Sequence, residues 1–493
     1  MNALLLYPEF PETFWSFKHA LRFVRKRATL PPLGLLTVAA MLPSGWDKRL
    51  VDVNVRRLSE KTLKWADLVL VSAMAAQRQS ARELIARCKA AGKTVVAGGP
   101  LFTAEPDAFP EVDHLVLNEA EVTLAPFLCD LERGHAQRVY ASTELPDIHR
   151  TPAPLWELAD VNRYASMSLQ FSRGCPYDCD FCNVTAMFGH RARAKAPDQV
   201  ITELDRLYEI GWRGSIFFVD DNLIGKRRVL REELLPALIA WREVHRGIRF
   251  YTEASIDLAD DEELTRRMVA AGFDTVFIGI ETPDEAGLAE CSKHHNRGRD
   301  MIGDVRRLQR AGLEVQGGFI IGFDSDTPAI FRRQMDFIQK SGIVSAMVGL
   351  LNAPAGTRLH ERMNREGRLL GPMTGDNADG SMNFIPRMNR DALHAGYGNL
   401  LRKIYAPGAY YQRVRAFLRE FRPPPIPATL DWASIETFGK SVLHLGILGR
   451  ERFHYWGLLA WTSFRRPAHL RLAVTLAIYG HHYRKVTARV AAR

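Results

Sequence analysis

No apolar run among the 493 residues reaches the roughly 18 that a helix needs to cross a bilayer, so no membrane span is expected. The opening stretch, MNALLLYPEF, lacks the basic flank, long apolar core and small-residue cleavage site of a secretory leader, and a cytoplasmic protein is the expectation. Cysteine is scarce. Six in this length cannot staple a disulfide scaffold, and in a reducing compartment a cluster of them points to metal or redox chemistry. The chain also lacks a glycine-rich phosphate loop ending in lysine, a nucleophile triad string and a histidine pair at i, i+4; His294-His295 and His481-His482 are adjacent and read as surface. What is present is ordinary globular composition, 46% hydrophobic and 25% charged with 36 Gly and 26 Pro, in a length that fits about two to four domains.

Acidic residues are what the last quarter lacks. Residues 381–493 carry 18 Lys and Arg against 5 Asp and Glu, a net of +13, whereas residues 1–380 carry 48 against 51, a net of −3. A basic tail can meet nucleic acid, an anionic lipid surface or water. Between Arg450 and Arg471 the charges interleave with Phe453, Tyr455, Trp456, Leu458, Leu459, Trp461 and Phe464. That mixture suits an amphipathic helix on a bilayer or over an apolar channel, and equally a helical domain with solvated arginines.

Short apolar runs at 2–8, 49–53, 67–72, 94–97 and 113–117 alternate with helical spacing, as at 79–92, where Leu84, Ile85 and Cys88 share a face. The alternation predicts a doubly wound, Rossmann-like α/β domain over 1–144 with a parallel sheet covered on both sides. Pro146, Pro152 and Pro154 oppose regular structure, and 145–160 reads as a linker. Alternation then restarts, with strands expected at 167–172, 215–219, 249–253, 274–280, 315–321 and 344–350. Amphipathic helices are expected between them, several closing on a glycine cap. Six such units, against the eight of a closed barrel, predict a partial TIM-like barrel over 161–372 with its site at the strands' carboxyl ends. Residues 373–493 read as a mostly helical, basic domain interrupted by the rigid RPPPIP stretch at 422–427.

The segment FSRGCPYDCDFCNV holds Cys175, Cys179 and Cys182 as Cys-x3-Cys-x2-Cys, and Gly174 and Pro176 mark it as a loop after the first barrel strand. Such a loop can wrap three thiolates around an iron-sulfur cube and leave one iron open. A structural zinc site that recruits His190, or three unconnected buried thiols, fits the same residues. Cys88, Cys129 and Cys291 read as core packing.

With Phe181 just before its last cysteine, the loop resembles the signature of the radical S-adenosylmethionine (SAM) enzymes. The resemblance implies a [4Fe–4S] cluster on Cys175, Cys179 and Cys182, SAM docked at the open iron, and reductive cleavage of SAM to a radical that abstracts hydrogen from substrate. It also implies SAM contacts at successive strand ends: Asp220, Asp221 and Asn222; Glu253 and Ser255; Glu281; and Gly318 and Gly322 on the adenine side, with 353–357 as the turn after strand six. Carboxylates there accept from an ammonium and ribose hydroxyls, and glycines let a flat base approach the backbone.

The first domain resembles the cobalamin-binding domain attached to one class of these enzymes, on PPLGLLTVAAML at 31–42, Ser72 to Met74, Gly98 and Gly99, and the acidic turn 118–121. The Asp-x-His-x-x-Gly motif that places histidine on cobalt is missing. Its nearest string, Asp147 to Pro152, falls in the linker, and the loop Met74–Gln77 is the candidate to face cobalt. With the YPEFPETFWSF opening and the basic tail, the chain is most similar to the subgroup containing the hopanoid C-2 methylases. That implies a cobalamin-dependent methyltransferase acting on an unactivated carbon of an apolar, lipid-like substrate. Its implied partners are a one-electron donor such as flavodoxin or ferredoxin and, through the tail, a membrane surface. A radical cyclase or oxidase without methyl transfer, an RNA-modifying protein and a cofactor-binding sensor stay open as readings.

Overall fold

The computed structural model describes residues 1–423 and 432–490. Its first sheet holds six parallel strands: β1 (Asn2–Tyr7), β2 (Asp47–Asp52), β3 (Leu68–Ser72), β4 (Thr94–Gly98), β5 (His114–Val116) and β6 (Val139–Tyr140), in the order β2-β1-β3-β4-β5-β6. Leu4 and Leu6 of β1 join one buried cluster while Ala3 and Leu5 join others, all at 0% exposure. Both faces are therefore covered, as a wholly parallel sheet requires. The chain passes from β1 outward to β2 and returns to β3 on β1's other side, which opens a crevice at their carboxyl ends. Helix α1 (Arg78–Ala90) buries Leu84, Ile85 and Cys88 together. The strand β6 was not legible in the sequence, since two edge residues give no apolar run.

The second parallel sheet is built from β7 (Ser166–Leu169), β10 (Ser215–Phe218), β11 (Arg249–Glu253), β12 (Phe273–Glu281), β13 (Glu314–Ile321) and β14 (Ala346–Leu350), neighbours in chain order. Between them run α2 (Pro197–Glu209), α3 (Leu235–Val244), α4 (Glu262–Ala271), α5 (Met301–Ala311) and α6 (Ile330–Ser341). The last three end on Gly272, Gly312 and Gly342, each left-handed at φ +102°, +112° and +75°. The strand expected over 167–172 is a correction: β7 stops at Leu169, and Ser172–Arg173 forms β8, antiparallel to β9 (Arg193–Ala194). The chain turns there because Asp220 takes the backbone N–H groups of Phe171 and Ser172 away from the sheet.

Six strands leave a gap between β7 and β14, and the ends of the chain fill it. Along β14, Tyr405 Oη donates to the Ala346 carbonyl (2.6 Å) and Tyr397 Oη to that of Val348 (2.9 Å). On the β7 side, the N–H groups of Ala165 and Ser166 donate to Ala28 and Thr29. Phe14 stacks on Tyr483 at 4.2 Å, and Trp15 reaches Phe277 of β12 edge-on at 5.5 Å. The linker stretch has only short helical turns, yet it is packed rather than loose, with Ile148 and Trp156 buried.

After α7 (Arg358–Arg365) come α8 (Arg390–Ile404), α9 (Pro407–Glu420), α10 (Trp432–Ser441), α11 (Arg452–Arg465) and α12 (Leu470–Val490), so the tail is helical as expected. Residues 424–427 of the RPPPIP stretch lie outside the described residues. Three further expectations need correction. His482 is fully buried, its Nε2 2.9 Å from the Phe14 carbonyl, because it shares the inward face of α12 with Ile478 and Val486, one turn to either side. His295 is half-buried against the Tyr177 ring at 3.7 Å. Cys129 is exposed on the outer face of its helix, whereas Cys88 and Cys291 are buried.

Candidate active site

The cysteine loop is held from four sides. Asp220, at the end of β10, accepts from Phe171 N–H (3.1 Å) and from both N–H and Oγ of Ser172 (2.5 Å to the hydroxyl). Gly174 sits at φ +91°, where a Cβ would press on the carbonyls of Phe188, Gly189 and Arg191 at about 3 Å. Arg358 of α7 donates to the carboxylates of Asp178 (2.5 Å) and Asp180 (2.6 Å), and Ser292 Oγ donates to Asp180 as well. Cys175, Cys179 and Cys182 are thereby presented half-exposed in one loop, close enough to perturb one another. Burial pushes the thiols up, to about 11 at Cys179 and about 12 at Cys182, each further raised by neighbouring cysteines. His190, the candidate fourth zinc ligand, is exposed beside Asp178 at 4.0 Å. Among the described residues no three His, Cys, Asp or Glu side chains converge on one ion position.

Strand ends ring this loop. Asn222 Nδ2 lies 4.0 Å from Cys175 Sγ and donates to Ser255 Oγ at 3.2 Å, so the second and third strand ends are tied to the first cysteine. Burial lifts Asp221 to about 6 against the pull of the Gly174 N–H and Arg173. Glu253 stands higher, at about 8, through burial and then the like charges of Asp221 and Glu281, with Lys293 opposing. Glu281 closes β12 in the left-handed region at φ +62°, beside a break in register with β13, and this turns its carboxylate onto Lys293. Burial works against the Lys293 charge, but Glu281 and then Cys179 outweigh it and hold the ammonium above the usual lysine range. Gly279 clears the space both side chains occupy, since a Cβ there would meet Lys293 Nζ at 2.6 Å.

Sequence reasoning missed Lys293 and gave Cys291 only a packing role. Their signal is slight: a lone lysine between a cysteine and two histidines, brought beside Cys179 only by the fold. Asp220 needs correcting. With both oxygens taken by the loop's own donors and no exposure, it holds the cysteines' backbone and does not face the cavity. Gly318 makes room for a ring of the protein itself, as a Cβ there would come within 2.7 Å of Phe277. Gly322 is left-handed at φ +111°, its N–H donating to Asp326 at 2.8 Å. Phe181 packs against the core beside Cys291, Phe323 and Leu351.

On the opposing sheet, Ser72, Gly98 and Gly99 line the carboxyl ends of β3 and β4. A Cβ on Gly98 would lie 2.5 Å from the Val116 carbonyl, and Gly99, at φ +86°, abuts Ser72. Met74 is half exposed. Gln77 is turned away from any cofactor at this face: it is fully buried, accepts from Met74 N–H and donates to the Pro8 carbonyl at 2.6 Å. Arg78 donates to the Met373 carbonyl, and Gly375 lies against Ala75 and Ala76, so the Met74–Gln77 loop is roofed by the segment after the barrel. The acidic turn is spent on the domain contact. Glu119 accepts from Arg173 and Arg193, each at 2.6 Å, and Glu121 from Arg173 at 2.7 Å.

The donor set fits the groups this architecture implies. Three thiols offer ligands to an iron-sulfur cluster, and even with Glu253 holding its proton, Asp221 and Glu281 around one ammonium leave an excess of negative charge for a cationic amino acid. Gly98 and Gly99 stand at the carboxyl ends of the first sheet's strands, against the Val116 carbonyl and Ser72.

Comparison with known proteins agrees along the whole chain. Residues 24–128 match a B12 binding domain, 169–365 the radical SAM superfamily, and 357–493 a domain of unknown function, DUF4070. An uncharacterized methyltransferase of Synechocystis is 40% identical over 98% of this chain and 91% of its own length. The hopanoid C-2 methylase of Rhodopseudomonas palustris is 34% identical over 92% and 88%. Two solved structures share the fold: the cobalamin-dependent SAM radical enzyme OxsB, with TM-score 0.64 at 13% identity over 99% of this chain and 80% of that one, and the radical SAM methyltransferase TsrM of Kitasatospora setae, with 0.63 at 15% over 95% and 99%. A [4Fe–4S] cluster, SAM and cobalamin are accordingly the cofactors. By its two cofactor domains and these relatives, the chain belongs to the cobalamin-dependent radical SAM methyltransferases.

Proposed function

We propose that this enzyme methylates an unactivated carbon of an apolar, lipid-like substrate. The observation that carries the reading is the wall below the acidic ring. Phe217 and Tyr251 stack at 4.7 Å on adjacent strands, and Phe277 meets Trp15 edge-on at 5.5 Å. Along β12, Val276, Ile278 and Ile280 are fully buried in the core while Phe277 is only half-buried, which supports an inward-facing aromatic surface for a hydrocarbon skeleton. The relative from Rhodopseudomonas palustris, named as a hopanoid methylase, supports the same class.

In this reading the bound cofactors supply radical initiation and the methyl group, and the chain's own residues hold and shield them. Cys175, Cys179 and Cys182 ligate the cluster. Asp221, Glu253 and Glu281 orient SAM's amino and ribose groups, with Asn222 and Ser255 bracing them, and Gly322 lies on the adenine side. Ser72, Met74, Gly98 and Gly99 border the cobalamin. The aromatic wall excludes water, which keeps a radical from being quenched. An electron donor of the flavodoxin or ferredoxin kind and peripheral contact between the basic C-terminal domain and a membrane complete the proposal.

The test is anaerobic reconstitution with iron, sulfide and cobalamin, followed by turnover with methyl-labelled SAM and a panel of polycyclic lipids. Label in a lipid product and its loss in Cys179→Ala support the reading. SAM cleavage with an altered but unlabelled product assigns cyclisation or oxidation instead, and full turnover without cobalamin overturns methyl transfer by this route.

A further inference from the structure

Nine of the seventeen exposed large apolar side chains among the described residues fall between 432 and 464. They lie in rows. Along α10 and the wider helical turn that continues it through Ile447, Ile435, Leu443 and Ile447 follow a four-residue spacing, with Trp432 one turn before them and Gly439 filling the gap. Along α11 the row is Phe453, Trp456, Ala460 and Phe464. Trp432 and Phe453 are each 78% exposed and Phe464 88%, values far outside those of packed aromatics.

The two helices form one body. Ser441 Oγ and Tyr455 Oη meet at 2.7 Å, and Trp456 Nε1 donates across to the Gly446 carbonyl at 3.0 Å, which sets its ring between the rows. Leu445, Tyr455, Leu458 and Leu459 are buried on the inner side. At the turn between the helices Ile447 and Leu448 stand out into solvent, flanked by exposed Arg450 and Arg452, and Arg465 is exposed at the far end. The hairpin's two acids are neutralised inward: Glu436 pairs with Arg25 and Lys440, and Glu451 with Arg484. Its outward charge is therefore basic. No helix among the described residues is long and apolar enough to span a bilayer.

We propose that this hairpin docks the enzyme on an anionic bilayer, with Trp432, Ile447, Leu448, Phe453 and Phe464 entering the headgroup boundary and Arg450, Arg452 and Arg465 meeting lipid phosphates. An apolar row edged by cations, with tryptophan at the boundary, matches that surface in polarity and in sign. This names the partner for the lipid-substrate reading and rests on it. Vesicle binding needs no catalysis, however, so each can fail alone.

The experiment is flotation of the full-length protein with phosphatidylcholine vesicles, with and without phosphatidylglycerol, alongside light scattering of the protein alone. The expected result is binding about tenfold tighter to the anionic vesicles, weakened by salt. Phe453→Ser with Phe464→Ser, and separately Arg450→Glu with Arg452→Glu, are each expected to lower it by about tenfold with an unchanged melting curve. Absence of flotation, or flotation indifferent to these substitutions and to lipid charge, overturns the proposal. So does a dimer that the phenylalanine substitutions dissociate, since a second copy would then cover this face. Flotation that persists while no lipid is methylated would leave the docking surface standing and sink only the substrate reading.

Discussion

Glu119 and Arg173 meet at 2.6 Å across the boundary between the two sheets, and Arg193, the cross-strand partner of Arg173 in the β8–β9 hairpin, closes on the same carboxylate. Glu119 ends the turn after β5 of the cobalamin-binding domain, and Arg173 stands two residues before Cys175. One buried carboxylate thus links the two cofactor-bearing faces. A second, Glu121, takes the other arm of Arg173 together with Thr151.

Removing one member of such a group strands charges that burial has separated from water. Glu119→Ala is expected to cost about 3–5 kcal/mol and to lower both iron content after reconstitution and cobalamin retention on gel filtration. Arg173→Lys, which keeps the charge but not the fork that serves two glutamates, should fall between mutant and wild type. Unchanged cofactor retention in Glu119→Ala, measured with denaturant melts of the apo chain, would show the clamp to be ordinary stability.

Asp220 and Asp221 are neighbours with opposite duties, and their amides should separate them. Asp220→Asn turns an N–H donor toward the N–H groups of Phe171 and Ser172, which unseats the start of the cysteine loop. Loss of iron incorporation is expected, with about 1–3 kcal/mol of stability. Asp221→Asn keeps an oxygen to accept from the Gly174 N–H, so the loop should stay seated and retain the cluster's absorbance while SAM weakens in equilibrium binding. The same phenotype in both variants would contradict the division of roles.

The fold was legible because strands and helices here announce themselves by period. LVLVS at β3 and the heavily apolar β12 needed no tertiary information, nor did the glycine-capped helices. The cysteines were equally plain, since their spacing lies within one loop. What escaped was whatever depends on direction. FFVDDNL shows two acids but not that one faces back toward the sheet, and CSKHH does not show that Lys293, twelve residues after Glu281, returns to pair with it. The tail's composition allowed either a solvated or a bilayer-facing helix, and only the burial of Tyr455 and Leu458 on one side, with Phe453 and Phe464 left out, divides the two faces.

The crowding of carboxylates has a pH signature in the apo chain. Glu253 stands at about 8 in the folded protein against an ordinary value of 4.5, so the folded state holds its proton more tightly than the unfolded state. Stability from this group is complete below pH 4.5 and is lost as pH rises toward 8. Glu253→Gln keeps the neutral form at every pH. Relative to wild type it should gain about 1–3 kcal/mol between pH 5 and pH 8 in urea melts of the apo chain. A pH-independent difference would place the Glu253 carboxyl outside the acidic ring.

Lys293 offers the sharpest test of the site's electrostatics. Its ammonium is buried, paired with Glu281 and within electrostatic reach of Cys179. A cation fixed beside a cluster ligand favours the reduced, more negative state, so its removal should make reduction harder. Lys293→Met is expected to move the cluster's midpoint potential downward by tens of millivolts, on the order of the 59 mV that equals tenfold in a one-electron equilibrium. Redox titration followed by electron paramagnetic resonance reads this without turnover. Lys293→Arg should restore most of the potential, because the charge returns even if the fit to Glu281 does not. If both variants leave the potential unmoved while lowering the melting temperature, Lys293 serves only to neutralise Glu281, and the acidic ring then rests on one ion pair rather than on a charge shared with the cluster.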